Sequence, residues 1–83
     1  MELLNRVKRP TGTKGGVSLL STRELQVFQL IGLGLSTRHV AERLGIGIKT
    51  VETHRENIKN KLGLEHSTAL VREATMWVQQ ATT

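Results

Sequence analysis

The chain has no cysteine and no aspartate, and among its 83 residues there is one proline. Without Cys there can be no disulfide staples, thiolate zinc site or cysteine nucleophile, so stability rests on packing alone. In so small a chain, that favours an idealised helical core. All seven acidic residues are Glu. The absence of Asp excludes an aspartyl phosphoacceptor, a Ser/His/Asp triad and a calcium loop of the EF-hand type. Long apolar runs are missing too. The longest uncharged stretch, Leu25 to Thr37, falls short of the roughly 20 residues that cross a bilayer. Residues Met1 to Pro10 carry Arg6, Lys8 and Arg9 but no apolar block before a small-residue cleavage site, so a signal peptide is not expected and a cytoplasmic location is. At this length one core is expected.

What is abundant is positive charge. Twelve Lys and Arg against seven Glu give +5 and a pI near 10.5, which points to a polyanionic partner, most often nucleic acid. Residues 1–16 hold Arg6, Lys8, Arg9 and Lys14 against Glu2, together with Pro10, Gly12, Gly15 and Gly16, and have no apolar periodicity. This composition reads as a flexible basic linker or tail, with a folded domain over 17–83.

Ser21-Thr22-Arg23-Glu24 has the form of a capping box and starts a first helix bearing Leu25, Val27, Phe28, Leu30 and Ile31. That helix is expected to end at Leu33, with Gly34 as its left-handed terminator. The pattern Leu33-Gly34-Leu35 recurs as Leu44-Gly45-Ile46 and Leu62-Gly63-Leu64. Each meets the needs of a helix end, with Gly at positive φ followed by an apolar residue that folds back on the last turn. Three stops bound four helices, the later ones over about Thr37 to Leu44, Ile48 to Leu62 and Ser67 to Gln80. The fold class is therefore all-α. Gly45-Ile46-Gly47 is too short for a full reversal but suits two helices crossing at a wide angle, which is a helix-turn-helix connection. Val40, Ala41 and Leu44, with Val51, Ile58 and Leu62, can close over the first helix.

On the third helix, Arg55, Ile58 and Leu62 fall within about 40° of Val51 and face the core. Lys49, Thr53, Glu56 and Asn60 lie opposite, flanked by Glu52 and Lys59 on one side and by Thr50, Asn57 and Lys61 on the other. In a helix-turn-helix protein the N-terminal half of this helix enters the major groove of double-stranded DNA. Lys49, Glu52, Thr53 and Glu56 are then placed at base edges, where Lys donates to guanine, Glu accepts from cytosine and Thr meets thymine. Thr50, Asn57, Lys59 and Lys61 are candidates for phosphate contacts that set register.

The fourth helix carries Leu70, Ala74 and Trp77 at one face with Val71 and Val78 beside it. Either all five cover the monomer core, or Val71 forms a symmetric homodimer patch with Thr68 and Thr75. Such a patch is small, and the dimer it makes should be weak. His39, His54 and His66 lack the four-residue spacing of a helical zinc pair, so no metal is expected. Gly45 to Thr50 lacks the upstream Gly and strand of a phosphate loop and reads as a turn. Four helices over one thin core leave little room for a pocket of several hundred Å3, so neither an enzyme nor a cofactor is expected. A rival reading is a protein-interaction module that binds a regulator or a subunit of RNA polymerase.

From Leu20-Ser-Thr-Arg-Glu-Leu25, through Val40-Ala-Glu-Arg-Leu44, to Lys49-Thr-Val-Glu-Thr-His-Arg-Glu-Asn-Ile-Lys-Asn-Lys-Leu-Gly63, the sequence resembles the LuxR/FixJ/GerE-type helix-turn-helix domain. The likeness covers about residues 17–80. It implies the four-helix effector domain of a bacterial transcription regulator, commonly a two-component response regulator or quorum sensor. It further implies DNA binding as a dimer through the fourth helix, and gives Thr50, His54 and Lys61 roles in backbone contact or packing. The chain departs from the family pattern at several caps. Thr22 replaces a common Pro, His39 a Glu, Gly47 a Ser and Ser67 an Arg. Without Asp there is no receiver domain in this stretch, so it reads as an excised effector or a stand-alone member.

Overall fold

The computed structural model describes residues 16–82. The basic segment expected over residues 1–16 therefore lies, except for Gly16, outside the described residues, as does Thr83. Every regular element among the described residues is helical: α1 (Thr22–Gly32), α2 (Thr37–Leu44), α3 (Ile48–Leu62) and α4 (Ser67–Thr82). A single turn precedes them, in which the Gly16 carbonyl accepts from the Leu19 N–H at 2.9 Å and the Val17 carbonyl from Leu20 at 3.1 Å. It lays Val17 and Leu20 against the core. No helix in the described region is long and apolar enough to cross a membrane.

The helix starts follow their caps. Ser21 accepts from the Glu24 N–H at 3.1 Å while Glu24 accepts from the Ser21 N–H at 2.9 Å, so the capping box is complete. Ser36 accepts from the His39 N–H at 3.2 Å, and the imidazole Nδ1 of His39 lies 3.0 Å from the same hydroxyl. The Glu that would close a second capping box is replaced by a ring that bonds the cap hydroxyl instead of the cap N–H.

The three glycine stops are also present. Gly34, Gly45 and Gly63 have φ of 100°, 69° and 71°. In each case the following apolar residue donates its N–H back across the turn: Leu35 to Leu30 at 3.1 Å, Ile46 to Ala41 at 3.0 Å, and Leu64 to Lys59 at 2.8 Å. These bonds satisfy carbonyls that the helix end would otherwise leave bare. α1 stops one residue earlier than its pattern indicates, with Leu33 as the cap itself, and α4 runs two residues longer.

All four helices supply the core. Val27 and Phe28 of α1, Val40 of α2, Val51 and Ile58 of α3 and Leu70 of α4 are fully buried. Burying each such aliphatic or aromatic side chain contributes about 1.5–3 kcal/mol. The Phe28 and Trp77 rings meet at a centroid distance of 5.7 Å with a 53° tilt. α1 packs mainly along α4 and across α3, while α2 leans on α3.

One feature of the α1–α4 contact has no counterpart in the periodicity. A Cβ added at Gly32 would lie 2.8 Å from the Ala74 carbonyl carbon and would also collide with Val78. Gly32 is therefore a site of close helix approach. Along α4, Leu70, Ala74 and Val78 are buried and Trp77 is half-buried, while Val71 is 42% exposed. Val71 thus does not join the other four residues in covering the core.

Candidate nucleic-acid interface

α3 is aimed by its first turn and by its core-facing side. At its start, Gly45 and Gly47 bracket a turn of one residue between α2 and α3. Gly47 sits in extended backbone, φ −76° and ψ 155°, and offers no side-chain cap. Along its length, Val51, Ile58 and Leu62 pin one face of the helix to the core.

The opposite face is exposed along its whole length. Lys49, Glu52, Thr53, Glu56 and Asn60 are all exposed, as are Thr50, Asn57 and Lys61. No neighbouring element of the described fold covers them. The Thr53 hydroxyl donates to the Lys49 carbonyl at 3.1 Å, a bond back along the same helix that the hydroxyl can exchange for an outside acceptor by rotating about χ1.

The basic residues of α3 have different surroundings. Lys61 Nζ donates to Glu24 Oε1 at 2.7 Å, the same oxygen that receives the Ser21 N–H. Glu24 is only 6% exposed, so Lys61 ties the last turn of α3 to the first turn of α1 through a nearly buried carboxylate. The hydrogen bond from Lys61, with that from the Ser21 N–H, holds the Glu24 carboxyl below its ordinary range, against the opposing effect of burial. Lys59 is half-buried and lies 2.9 Å from Glu56 Oε2. His54 is also half-buried, and its Nδ1 is sealed from water with no hydrogen-bond partner among the described residues.

Thus the outward-facing residues share one surface, as their spacing requires, and the expected phosphate contacts divide. Thr50 and Asn57 stand open, whereas Lys59 and Lys61 have carboxylate partners and His54 packs. The Glu56–Lys59 pair was visible as an i,i+3 spacing. Nothing in the sequence connects Lys61 to Glu24 across 37 residues.

α2 adds two basic side chains that the reading of α3 alone passes over. Arg38 and Arg43 are both exposed, Arg38 loosely facing Glu42 at 3.8 Å. Beside them lies a surface depression of about 410 Å3 lined by Leu35, His39, Glu42 and Arg43. A hollow of that size was not expected over so thin a core.

On the fourth helix, Thr68 and Val71 are exposed and Thr75 is partly so, placing the three residues expected at a dimer contact along one side of α4.

Comparison with known proteins places the chain in a family. The model of bacterial regulatory proteins, luxR family, matches residues 18–74. The oxygen regulatory protein NreC of Staphylococcus aureus strain bovine RF122 / ET3-1 is 40% identical over 62 residues, 75% of this chain and 29% of that protein. NreC of strain JH9 is 43% identical over 56 residues, 68% of this chain and 26% of that protein. The chain thus spans less than a third of the length of these relatives. The matched stretch runs from the turn before α1 into α4 and takes in both helices of the helix-turn-helix, so the chain belongs to the luxR family of bacterial regulatory proteins, a family of DNA-binding transcription regulators.

Proposed function

We propose that the chain is the effector domain of a response regulator, binding specific DNA sites as a weak homodimer with α3 in the major groove. The observation that carries this reading is the uncovered polar face of α3, opposite a stripe on the same helix in which Val51 and Ile58 are fully buried. Lys49, Glu52, Thr53 and Glu56 meet base edges. Lys49 donates to guanine, Thr53 meets a thymine methyl or any hydrogen-bonding edge, and the two carboxylates accept from cytosine amino groups. Thr50 and Asn57 hold phosphates beside them. Arg38 and Arg43 reach phosphates from α2, the helix that crosses the backbone in a helix-turn-helix complex. His54 and Lys61 act by holding α3 in place. Two copies pair through Thr68, Val71 and Thr75 on half-sites about one helical turn apart. Contacts with RNA polymerase fall to surfaces left free by this arrangement.

Salt titration of binding to a mixed-sequence duplex tests the proposal. Neutralising about four to six phosphates gives a slope of log K against log salt near −4 to −5. A flat dependence with micromolar affinity for a protein partner would favour an interaction module instead. Selection of bound sites from a random duplex pool then reads the sequence preference.

A further inference from the structure

We infer that Lys59 is a positioning residue for base recognition: its ammonium holds and neutralises the Glu56 carboxylate, so that Glu56 faces DNA as an acceptor without presenting an uncompensated negative charge. This rests on the reading of α3 as the groove helix.

The physical problem is plain. Duplex DNA carries one negative charge per about 1.7 Å of its length, so a bare carboxylate brought to its groove is repelled from every direction. The pair on α3 answers this. Lys59 Nζ lies 2.9 Å from Glu56 Oε2, one helical turn away. Their exposures are unequal, 14% for the lysine side chain and 65% for the glutamate. The lysine stem is therefore laid against the body of the domain, and its charged end is delivered under the carboxylate from the inside. With Oε2 engaged by Lys59, Oε1 is the oxygen left to accept from a base.

An exposed i,i+3 pair does little for stability in water. Its effect belongs to the bound state. Docking removes water from between α3 and the bases, which lowers the local dielectric and strengthens both the attraction within the pair and the repulsion that a lone carboxylate would feel. Fixing Oε2 also removes rotamers from Glu56, so less freedom is lost when Oε1 accepts a hydrogen bond.

The alternative is that Lys59 swings away from Glu56 to a phosphate, and the two roles separate in a double-mutant cycle. The probe is the duplex most enriched from a random pool by the wild-type 83-residue chain, with a mixed-sequence duplex alongside. Lys59→Met is expected to weaken binding to the enriched duplex about tenfold when Glu56 is present, but at most about twofold in the Glu56→Gln background. The salt slope should stay within about half a unit of wild type, and Lys59→Arg should retain affinity within about threefold. Equal losses in both backgrounds, with a slope smaller by about 0.9, would assign Lys59 to a phosphate and overturn the inference. So would an unchanged affinity for Lys59→Met. Circular dichroism confirms that each variant is folded, and Lys59→Gln replaces the Met variant if that one is not. A pool from which wild type enriches nothing is a separate failure, that of the groove reading itself, and the inference falls with it.

Discussion

At the scale of single residues, two positions have roles that their neighbours in sequence do not reveal. Glu24 closes the capping box of α1 and also accepts from Lys61, with its carboxyl held below the ordinary range by that lysine first and the Ser21 N–H second. Because the folded value is the lower one, the stability this group contributes is complete above the unfolded carboxylate range and is lost as pH falls through the folded value. Thermal unfolding of the wild type should therefore lose stability below about pH 4.5, whereas Glu24→Gln should show a shallower acid limb and cost about 1–2 kcal/mol at neutral pH. Equal acid limbs would remove Glu24 from the account. Gly32 is the other case. Its hydrogen faces the Ala74 carbonyl, and Gly32→Ala should destabilise by about 1–3 kcal/mol by forcing α1 and α4 apart, despite the better helix propensity of Ala. Chemical denaturation measures this, and a neutral or stabilising result would show that the helices can separate freely.

At the scale of elements, α3 is firmly held at one end and weakly capped at the other. Its C-terminal end has the left-handed stop at Gly63 and the Glu24 tie, while its N-terminal end, which carries Lys49, Glu52 and Thr53, has only the Gly47 backbone as a cap. Gly47 is already in extended backbone, and the nearest atom to an added Cβ is Thr50 Oγ1 at 3.9 Å. Gly47→Ser should thus stabilise the domain by about a few tenths of a kcal/mol through a new cap bond. A fall in the unfolding midpoint would contradict that geometry. In DNA binding, Glu52→Ala or Thr53→Ala should change base preference at one or two positions by about 1–3 kcal/mol while leaving affinity for mixed duplex nearly constant. Losses uniform over all sequences would move these residues from bases to phosphates.

At the scale of the whole molecule, the proposed function depends on how two copies of the domain would share one DNA site. The exposed strip of α4 centred on Val71 is narrow beside the surface of a stable protein dimer, so pairing should be seen on DNA and not in free solution. Val71→Glu should abolish cooperative binding to a duplex with two half-sites and leave half-site affinity and the unfolding midpoint unchanged. Retained cooperativity would place the dimer contact elsewhere. The relatives are more than three times as long as the matched segment.

Periodicity and end signals were enough to read the four helices, because caps and glycine stops are local chemistry: Ser21 with Glu24 three residues on, and Gly at positive φ before an apolar residue. The burial of Val51 and Ile58 and the exposure of Lys49, Thr53 and Glu56 follow from the 3.6-residue period in the same way, so most of the candidate face could be read from the chain alone. What lay beyond that reading involves residues distant in sequence or packing across helices. The closeness of α1 and α4 at Gly32, the tie from Lys61 to Glu24 and the sheltering of the Lys59 stem depend on how helices are set against one another. Local sequence determined which groups would be outward and charged; only the tertiary packing decided which of those charges already had partners, since a long flexible lysine takes whichever carboxylate the fold brings within reach.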